Sequence, residues 1–129
     1  MSRTKKAVLL GGAVVVVAAA LLVAFAARRP MHGKWYLHWR AEGDIEMLAD
    51  VLEQYRTEHG RYPTTAEGLE PMVAHQFLRK IPLDPWHNRY HYLCPGQHNP
   101  SGFDLWSGGA DGLEGGSDLN KDVTNWPGA

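Results

Sequence analysis

Four acidic side chains are crowded near the end of this 129-residue chain, in the glycine-rich stretch GGADGLEGGSDLNKD at positions 108–122. They are Asp111, Glu114, Asp118 and Asp122. Glycine at this density disfavours both helix and strand, because each glycine loses much conformational freedom on folding. Neighbouring carboxylates repel one another. The stretch is therefore expected either to stay open in water or to hold a cation.

The oxygen atoms of this segment are of the kind that Ca²⁺ prefers. Calcium takes about six to eight oxygen ligands from carboxylates, amides, backbone carbonyls and water. Asp111, Asp118, Asn120 and Asp122 offer such groups, and glycine backbone can turn its carbonyls inward. The alternation from Asp118 to Asp122 is like the opening of an EF-hand loop, but the later glycine and glutamate are missing, which disfavours an EF-hand. The loop holds neither imidazole nor thiolate, so a soft metal is not expected.

The rest of the composition argues against several other functions. The net charge of −1 gives no sign of a nucleic-acid partner. Cys94 is the only cysteine, so no disulfide can form within one chain. No Ser-His-Asp pattern, phosphate-binding glycine loop or zinc spacing occurs. We therefore expect a protein that is not an enzyme and has no small-molecule substrate.

The seven histidines are spread along the chain. His87 and His91 are four positions apart, but in a turn and a strand that spacing does not bring two side chains together. His59, His75 and His98 stand among surface-type residues. We expect each of these side chains to be solvated.

An uncharged apolar run occupies residues 7–27. As a helix, a run of about twenty apolar residues matches a hydrocarbon core about 30 Å thick. Basic residues stand on both sides, at Arg3, Lys5 and Lys6 and at Arg28 and Arg29. The positive-inside rule places residues 1–6 in the cytoplasm and the later residues outside. Ala24-Phe25-Ala26 also fits a signal-peptide cleavage site. However, the apolar run is longer than the apolar core of a signal peptide, which usually has about 7–15 residues.

Residues 28–40 are predicted to be a juxtamembrane linker, since Pro30 and Gly33 interrupt the pattern. Trp35, Tyr36 and Trp39 follow, mixed with basic groups. Aromatic rings and cations of this kind are typical of the membrane interface. The alternative is that the three rings pack on the domain that follows.

Beyond the linker, the pattern predicts two helices and two strands. Apolar residues spaced three, four and three apart predict an amphipathic helix over residues 41–59, and Gly60 ends it. These residues are Ile45, Leu48, Leu52 and Tyr55. Thr64 and Glu67 form a potential capping box before a second, shorter helix that ends by Pro82. Residues 89–93 and 103–107 read as two antiparallel strands.

Four segments resemble one known family, and they occur in the family's order. RYPTTAEGLEPMV, LRKIPLDPWHNRYHYLCPG, FDLWSGGADG and DVTNWP are similar to the C-terminal domain of general secretion pathway protein G, the major pseudopilin of type II secretion. The resemblance covers residues 41–126. It implies an α+β, type IV pilin-like fold: an N-terminal transmembrane helix, a helix packed on a small antiparallel sheet, and a C-terminal calcium loop.

The same resemblance implies a function and a place in the cell. Residues 41–129 would be a periplasmic domain, tethered to the inner membrane by a single helix. The chain would assemble with other pseudopilin subunits into a calcium-stabilised filament, the pseudopilus. By position, the resemblance makes ligands of five residues: Asp111, Asp122, Gly108 through its carbonyl, Asn120 and Asp118. Glu114 and Ser117 are weaker candidates.

The front of the chain departs from the family pattern. The apolar run at residues 7–27 contains no glutamate and no Gly-Phe pair, the features of the family's processing and assembly signal. This departure keeps a second hypothesis open: a membrane-tethered, calcium-binding adaptor of a secretion or surface system that does not polymerise.

Overall fold

The computed structural model describes residues 32–128. The predicted membrane segment at residues 7–27 and the first four residues of the predicted linker lie outside that range. Within residues 32–128, no helix is both long and apolar enough to cross a bilayer. The elements in chain order are α1 (His32–His59), α2 (Glu70–Ala74), β1 (His91–Leu93), β2 (Asp104–Ser107) and β3 (Val123–Thr124). Two short 3₁₀ turns, Gly109–Asp111 and Asp118–Asn120, lie between β2 and β3.

The long helix α1 buries the face that its apolar spacing predicts. Ile45, Leu48, Leu52 and Tyr55 are all nearly inaccessible to solvent. They form one core with residues from α2 and from the sheet, among them Met72, Phe103, Leu105 and Val123. The helix ends as expected at Gly60, whose φ of +74° suits glycine and whose N–H donates to the Arg56 carbonyl at 2.8 Å.

The start of α1 differs from the prediction, because the helix begins at His32 rather than at residue 41. Residues 32–40 of the predicted linker are therefore helical. Gly33 does not break the helix because it lies in the first turn, where backbone N–H groups have no partner within the helix in any case. His38 and Ala41 are buried and extend the core face toward the amino end.

The second helix is shorter than the sequence pattern suggested. Thr64 and Glu67 do bond reciprocally, Thr64 N–H to Glu67 Oε2 at 2.7 Å and Glu67 N–H to Thr64 Oγ1 at 3.2 Å. The chain then continues as turns, because Gly68 adopts φ +60°, outside the helical region. Helix α2 starts only at Glu70.

The sheet has three antiparallel strands in the order β1, β2, β3. Tyr92 lies opposite Leu105 in the first pair, and Trp106 lies opposite Thr124 in the second. The sequence pattern predicted β1 and β2 but missed β3, since a two-residue strand has no periodicity to detect. With α1 packed across this small sheet, the described part of the chain is an α+β fold.

Candidate metal centre

The acidic loop leaves β2 from a buried anchor. The Ser107 hydroxyl, fully buried, donates to Asp84 Oδ2 at 2.5 Å and accepts the Gly109 N–H at 3.3 Å. Asp84 Oδ1 in turn accepts the N–H groups of Trp86 and Asn88, at 3.0 and 2.8 Å. The carboxylate of Asp84 therefore connects the turn at residues 84–88 to Ser107, the last residue before the acidic loop.

Glycine lets the two ends of the loop touch. A Cβ on Gly109, which has φ +63°, would lie 2.7 Å from the carbonyl oxygen of Lys121. A Cβ on Gly108 would lie 2.6 Å from the backbone carbon of Gly112. A side chain at position 109 would push the two ends of the loop apart, and one at position 108 would disrupt the turn at residues 108–112. Gly109 thereby lies against residues 120–121, and Gly108 lies against Gly112 in its own turn.

Asp122 is the most constrained of the predicted ligands. Its Oδ2 accepts the Gly115 N–H at 2.9 Å, while its Oδ1 is buried and has no hydrogen-bond partner among the described residues. Burial raises the pKa of this carboxyl group. The Gly115 N–H opposes that shift, and the charges of Glu114 and Asp111 add to it. Glu114 and Asp111 are thus within electrostatic reach of Asp122.

Asp111 lies at the other side of the loop, at the end of the first 3₁₀ turn. It is exposed, and its Oδ1 accepts the Leu113 N–H at 3.1 Å. Only one carboxylate oxygen is engaged in this bond, so the group keeps free acceptor capacity for a cation.

The remaining predicted ligands lie on the same two segments. Gly108 is buried directly after β2. Asp118 and Asn120 bound the second 3₁₀ turn, and Asp118 has a positive φ of +52°. Within residues 32–128, no three side chains of His, Cys, Asp or Glu are grouped closely enough to hold a metal by themselves. A cation in this loop would depend on carbonyl and amide oxygens beside the carboxylates.

The structure adds a residue that the sequence did not single out. His38, on α1, is 7% exposed, and its Nε2 lies 3.3 Å from the carbonyl oxygen of Lys121. Its ring also meets Trp86 edge-on at 4.8 Å between centroids. His38 and Asp122 both line a groove of about 410 Å³ between α1 and the end of the chain. No local pattern marks this contact, because its partners are 83 positions apart.

The three aromatic residues at the start of α1 do not pack into the domain. Trp35, Tyr36 and Trp39 are 60%, 51% and 69% exposed. Trp35 and Trp39 border the groove that His38 and Asp122 line, but most of each ring remains open to solvent. Of the two alternatives for these rings, packing on the following domain is therefore wrong for most of their surface.

Comparison with known proteins gives one consistent family. The family model described as "Type II secretion system (T2SS), protein G" matches residues 38–126. The type II secretion system core protein G of Pseudomonas aeruginosa is 43% identical, with 67% of this chain and 68% of that protein covered. That of Vibrio cholerae is 35% identical, with 67% and 66% covered. The chain thus spans about two thirds of the length of these relatives.

A solved structure agrees with the sequence relatives. The fold matches the crystal structure of the major pseudopilin from the type 2 secretion system of enterohaemorrhagic Escherichia coli with a TM-score of 0.59 and 32% identity. The match covers 70% of this chain and 87% of the other.

Proposed function

The chain belongs to the type II secretion system protein G family, and we propose that it is a calcium-stabilised structural subunit of a pseudopilus, anchored in the inner membrane. The expectation of a pseudopilin from the four sequence segments is confirmed by the family match and by the relatives. The family is one of structural subunits, and we assign this chain no catalytic role. The observation that carries the proposal is the conjunction of the pseudopilin fold with 43% identity to a core protein G.

Calcium binding is supported by the unpartnered oxygen of Asp122. A buried carboxylate oxygen without a hydrogen-bond donor is costly, and a cation removes that cost. Calcium binds carboxylate oxygens at about 2.3–2.6 Å and takes about six to eight oxygen ligands, so the carbonyl and amide oxygens of the loop would complete its coordination. We propose Asp122, Asp111, the Gly108 carbonyl, Asn120 and Asp118 as the ligands.

Bound calcium would supply charge neutralisation and cross-linking. The segment from residue 108 to residue 122 contains four carboxylates and one lysine, and the only regular structure in it is two short 3₁₀ turns. An ion that binds only the folded loop stabilises it by mass action. Because β3 follows directly after Asp122 and pairs with β2, that stabilisation extends to the edge of the sheet.

Anchoring and assembly rest on the residues before the domain. We propose that residues 7–27 span the inner membrane and that residues 41–129 lie in the periplasm. The exposed rings of Trp35, Tyr36 and Trp39 support a contact outside the domain, with lipid headgroups or with other pseudopilin subunits in a homo-oligomer or mixed filament.

The adaptor hypothesis is supported by one observation, the absence of glutamate and of a Gly-Phe pair from residues 7–27. A tethered adaptor should stay a membrane-bound monomer with an intact amino terminus. A pseudopilus subunit should give a ladder of cross-linked species and appear in sheared surface fractions. N-terminal sequencing together with cross-linking of cells that express the chain separates the two. A monomer with residue 1 or 2 at its amino terminus would refute the filament.

The calcium proposal has its own test, which does not require a filament. Thermal unfolding of the full chain in detergent is compared in calcium and in chelator, for wild type and Asp111→Ala, with the exposed helix variant Asp50→Ala as a control. At about a hundredfold excess over Kd, calcium should raise the wild-type midpoint by about 10 °C. Asp50→Ala should respond equally, and Asp111→Ala much less. If the unfolding midpoint of wild type is the same in calcium and in chelator, the proposed calcium site is refuted.

A further inference from the structure

Two histidines that are sixteen positions apart meet at the ends of the two helices. His59 is the last residue of α1, and His75 directly follows α2. Their ring centroids are 4.5 Å apart with an interplanar angle of 70°. Both residues are exposed. Both side chains are solvated as expected, but they are not isolated from each other.

The His59 ring is held in one orientation and one tautomer. Its Nδ1 lies 3.1 Å from the carbonyl oxygen of Tyr55. A carbonyl only accepts, so Nδ1 carries the proton and Nε2 presents a lone pair. The ring also stacks on Tyr55 at 4.0 Å with an interplanar angle of 9°. An imidazole that donates Nδ1–H to a backbone carbonyl and leaves Nε2 free is the arrangement found in metal-binding histidines.

The separation of the two rings suits a shared metal ion. With metal–nitrogen bonds of about 2.0–2.1 Å, two imidazoles on one ion place their centroids about 4.5–5.2 Å apart, for bond angles between a right angle and the tetrahedral angle. The observed 4.5 Å lies at the lower end of that range. In the structure the two rings meet edge to face, so a shared ion requires the exposed His75 side chain to turn until one of its nitrogens faces the ion.

The carboxyl terminus of α1 favours a cation. His59 ends a 28-residue helix, and the unpaired carbonyls at a helix carboxyl terminus carry partial negative charge. The rings of Tyr55 and Phe77 pack against His59, at 4.0 and 6.3 Å, and shield one side of it from water.

We propose that His59 and His75 form a two-histidine site for a divalent transition-metal ion, one that clips the carboxyl end of α1 to the carboxyl end of α2. Within the described residues no third His, Cys, Asp or Glu side chain joins the pair, so water completes the coordination. Imidazole ligands select Cu²⁺, Ni²⁺ and Zn²⁺ over Ca²⁺, with Cu²⁺ bound most tightly. The site is separate from the acidic loop and stands whether or not that loop binds calcium.

The test is metal titration of the untagged full chain in detergent, with excess Ca²⁺ present to occupy the acidic loop. Cu²⁺ binding is followed by calorimetry and by electron paramagnetic resonance, for wild type, His59→Gln and His75→Gln. The matched control is His91→Gln, which removes an exposed histidine that stacks on Trp106 instead of on another histidine. Circular dichroism establishes that each variant is folded.

Wild type and His91→Gln should each bind one Cu²⁺ equivalent with a two-nitrogen spectrum. Each single variant of the pair should lose affinity by about a hundredfold, because the second imidazole no longer binds as part of a chelate. Lowering the pH should release the ion, since protons compete for the ligand nitrogens. Equal affinity in wild type and both single variants, or a spectrum with one nitrogen ligand in wild type, overturns the proposal.

Discussion

The imidazole of His38 donates from Nε2 to the carbonyl oxygen of Lys121 at 3.3 Å, which joins the start of α1 to the exit from the acidic loop. Lys121 directly precedes Asp122, the predicted ligand with an unpartnered oxygen. The position of that carboxylate therefore depends on a side chain from the far end of the domain.

Replacing His38 should loosen the loop as well as the helix. His38→Leu removes the donor to Lys121 and leaves a polar carbonyl in a largely apolar contact, so the free energy of unfolding should fall by about 1–3 kcal/mol. His38→Gln keeps a donor of similar reach and should lose less. Hydrogen exchange resolved by residue is the measurement. Faster exchange confined to α1 in His38→Leu, with residues 120–124 unchanged, would contradict the link.

Replacing Asp122 should raise the stability of the fold in chelator and lower it in calcium. Its pKa is raised by burial, so the folded state holds its proton more tightly than the unfolded state does. Without calcium, stability therefore falls as pH rises from the unfolded pKa through the raised folded pKa. Asp122→Asn removes this penalty while keeping the shape of the side chain, so in chelator it should unfold at a higher temperature than wild type.

In calcium the order should reverse, because Asp122→Asn loses a charged ligand. Thermal unfolding at pH 7 with chelator and with excess calcium measures both signs. If Asp122→Asn were less stable than wild type in chelator, the buried carboxylate would not destabilise the calcium-free fold. A variant with the full calcium response would remove Asp122 from the ligand set.

Asp84 should be among the most sensitive positions of the domain. Its buried carboxylate accepts from two backbone N–H groups and from the Ser107 hydroxyl. Asp84→Ala leaves all three donors without their partner, at a cost of about 3 kcal/mol or more. Asp50→Ala, on the exposed side of α1, should stay within about 0.5 kcal/mol of wild type. Urea unfolding measures both, and equal midpoints would refute the anchoring role of Asp84.

Local pattern predicted much of this fold because it is built on one strongly periodic helix. The spacing of Ile45, Leu48, Leu52 and Tyr55 fixed which face of α1 is buried, and all four are in the core. The start of α1 was misjudged because Gly33 reads as a breaker in sequence but lies where a helix tolerates it. Strand β3 carries no detectable pattern, since it consists of two residues paired only with β2.

The sequence predicted the position of the candidate site but not the contacts that hold it in place. Composition located the acidic loop, and the family resemblance named the candidate ligands that we propose for it. The contacts that position the loop come from residues distant in sequence: Asp84 reaches Ser107 across 23 positions, and His38 reaches Lys121 across 83. The pair of His59 and His75 was missed because two helix ends meet only through tertiary packing. Spacing rules describe neighbours on one element and do not describe such contacts.

The last prediction concerns acid stability, which Glu67 should control in part. Hydrogen bonds from Arg61, at 2.7 and 2.9 Å, and then from the Thr64 N–H lower the pKa of Glu67 to about 2 from a reference value of 4.5. A carboxyl group with a lowered folded pKa stabilises the fold above its unfolded pKa, and this contribution is lost as pH falls toward the folded value. The affected window is therefore pH 4.5 down to about 2.

Glu67→Gln cannot titrate, so the midpoint of thermal unfolding should depend less on pH across that window than in wild type. At pH 7 the variant should be only slightly less stable, because Glu67 and Arg61 are solvent-exposed and such ion pairs contribute little. Glu70→Gln, an acid-to-amide change three residues away without the Arg61 partner, is the matched control and should keep the wild-type slope. Identical slopes for wild type and Glu67→Gln would mean that the Arg61 contact does not persist in solution.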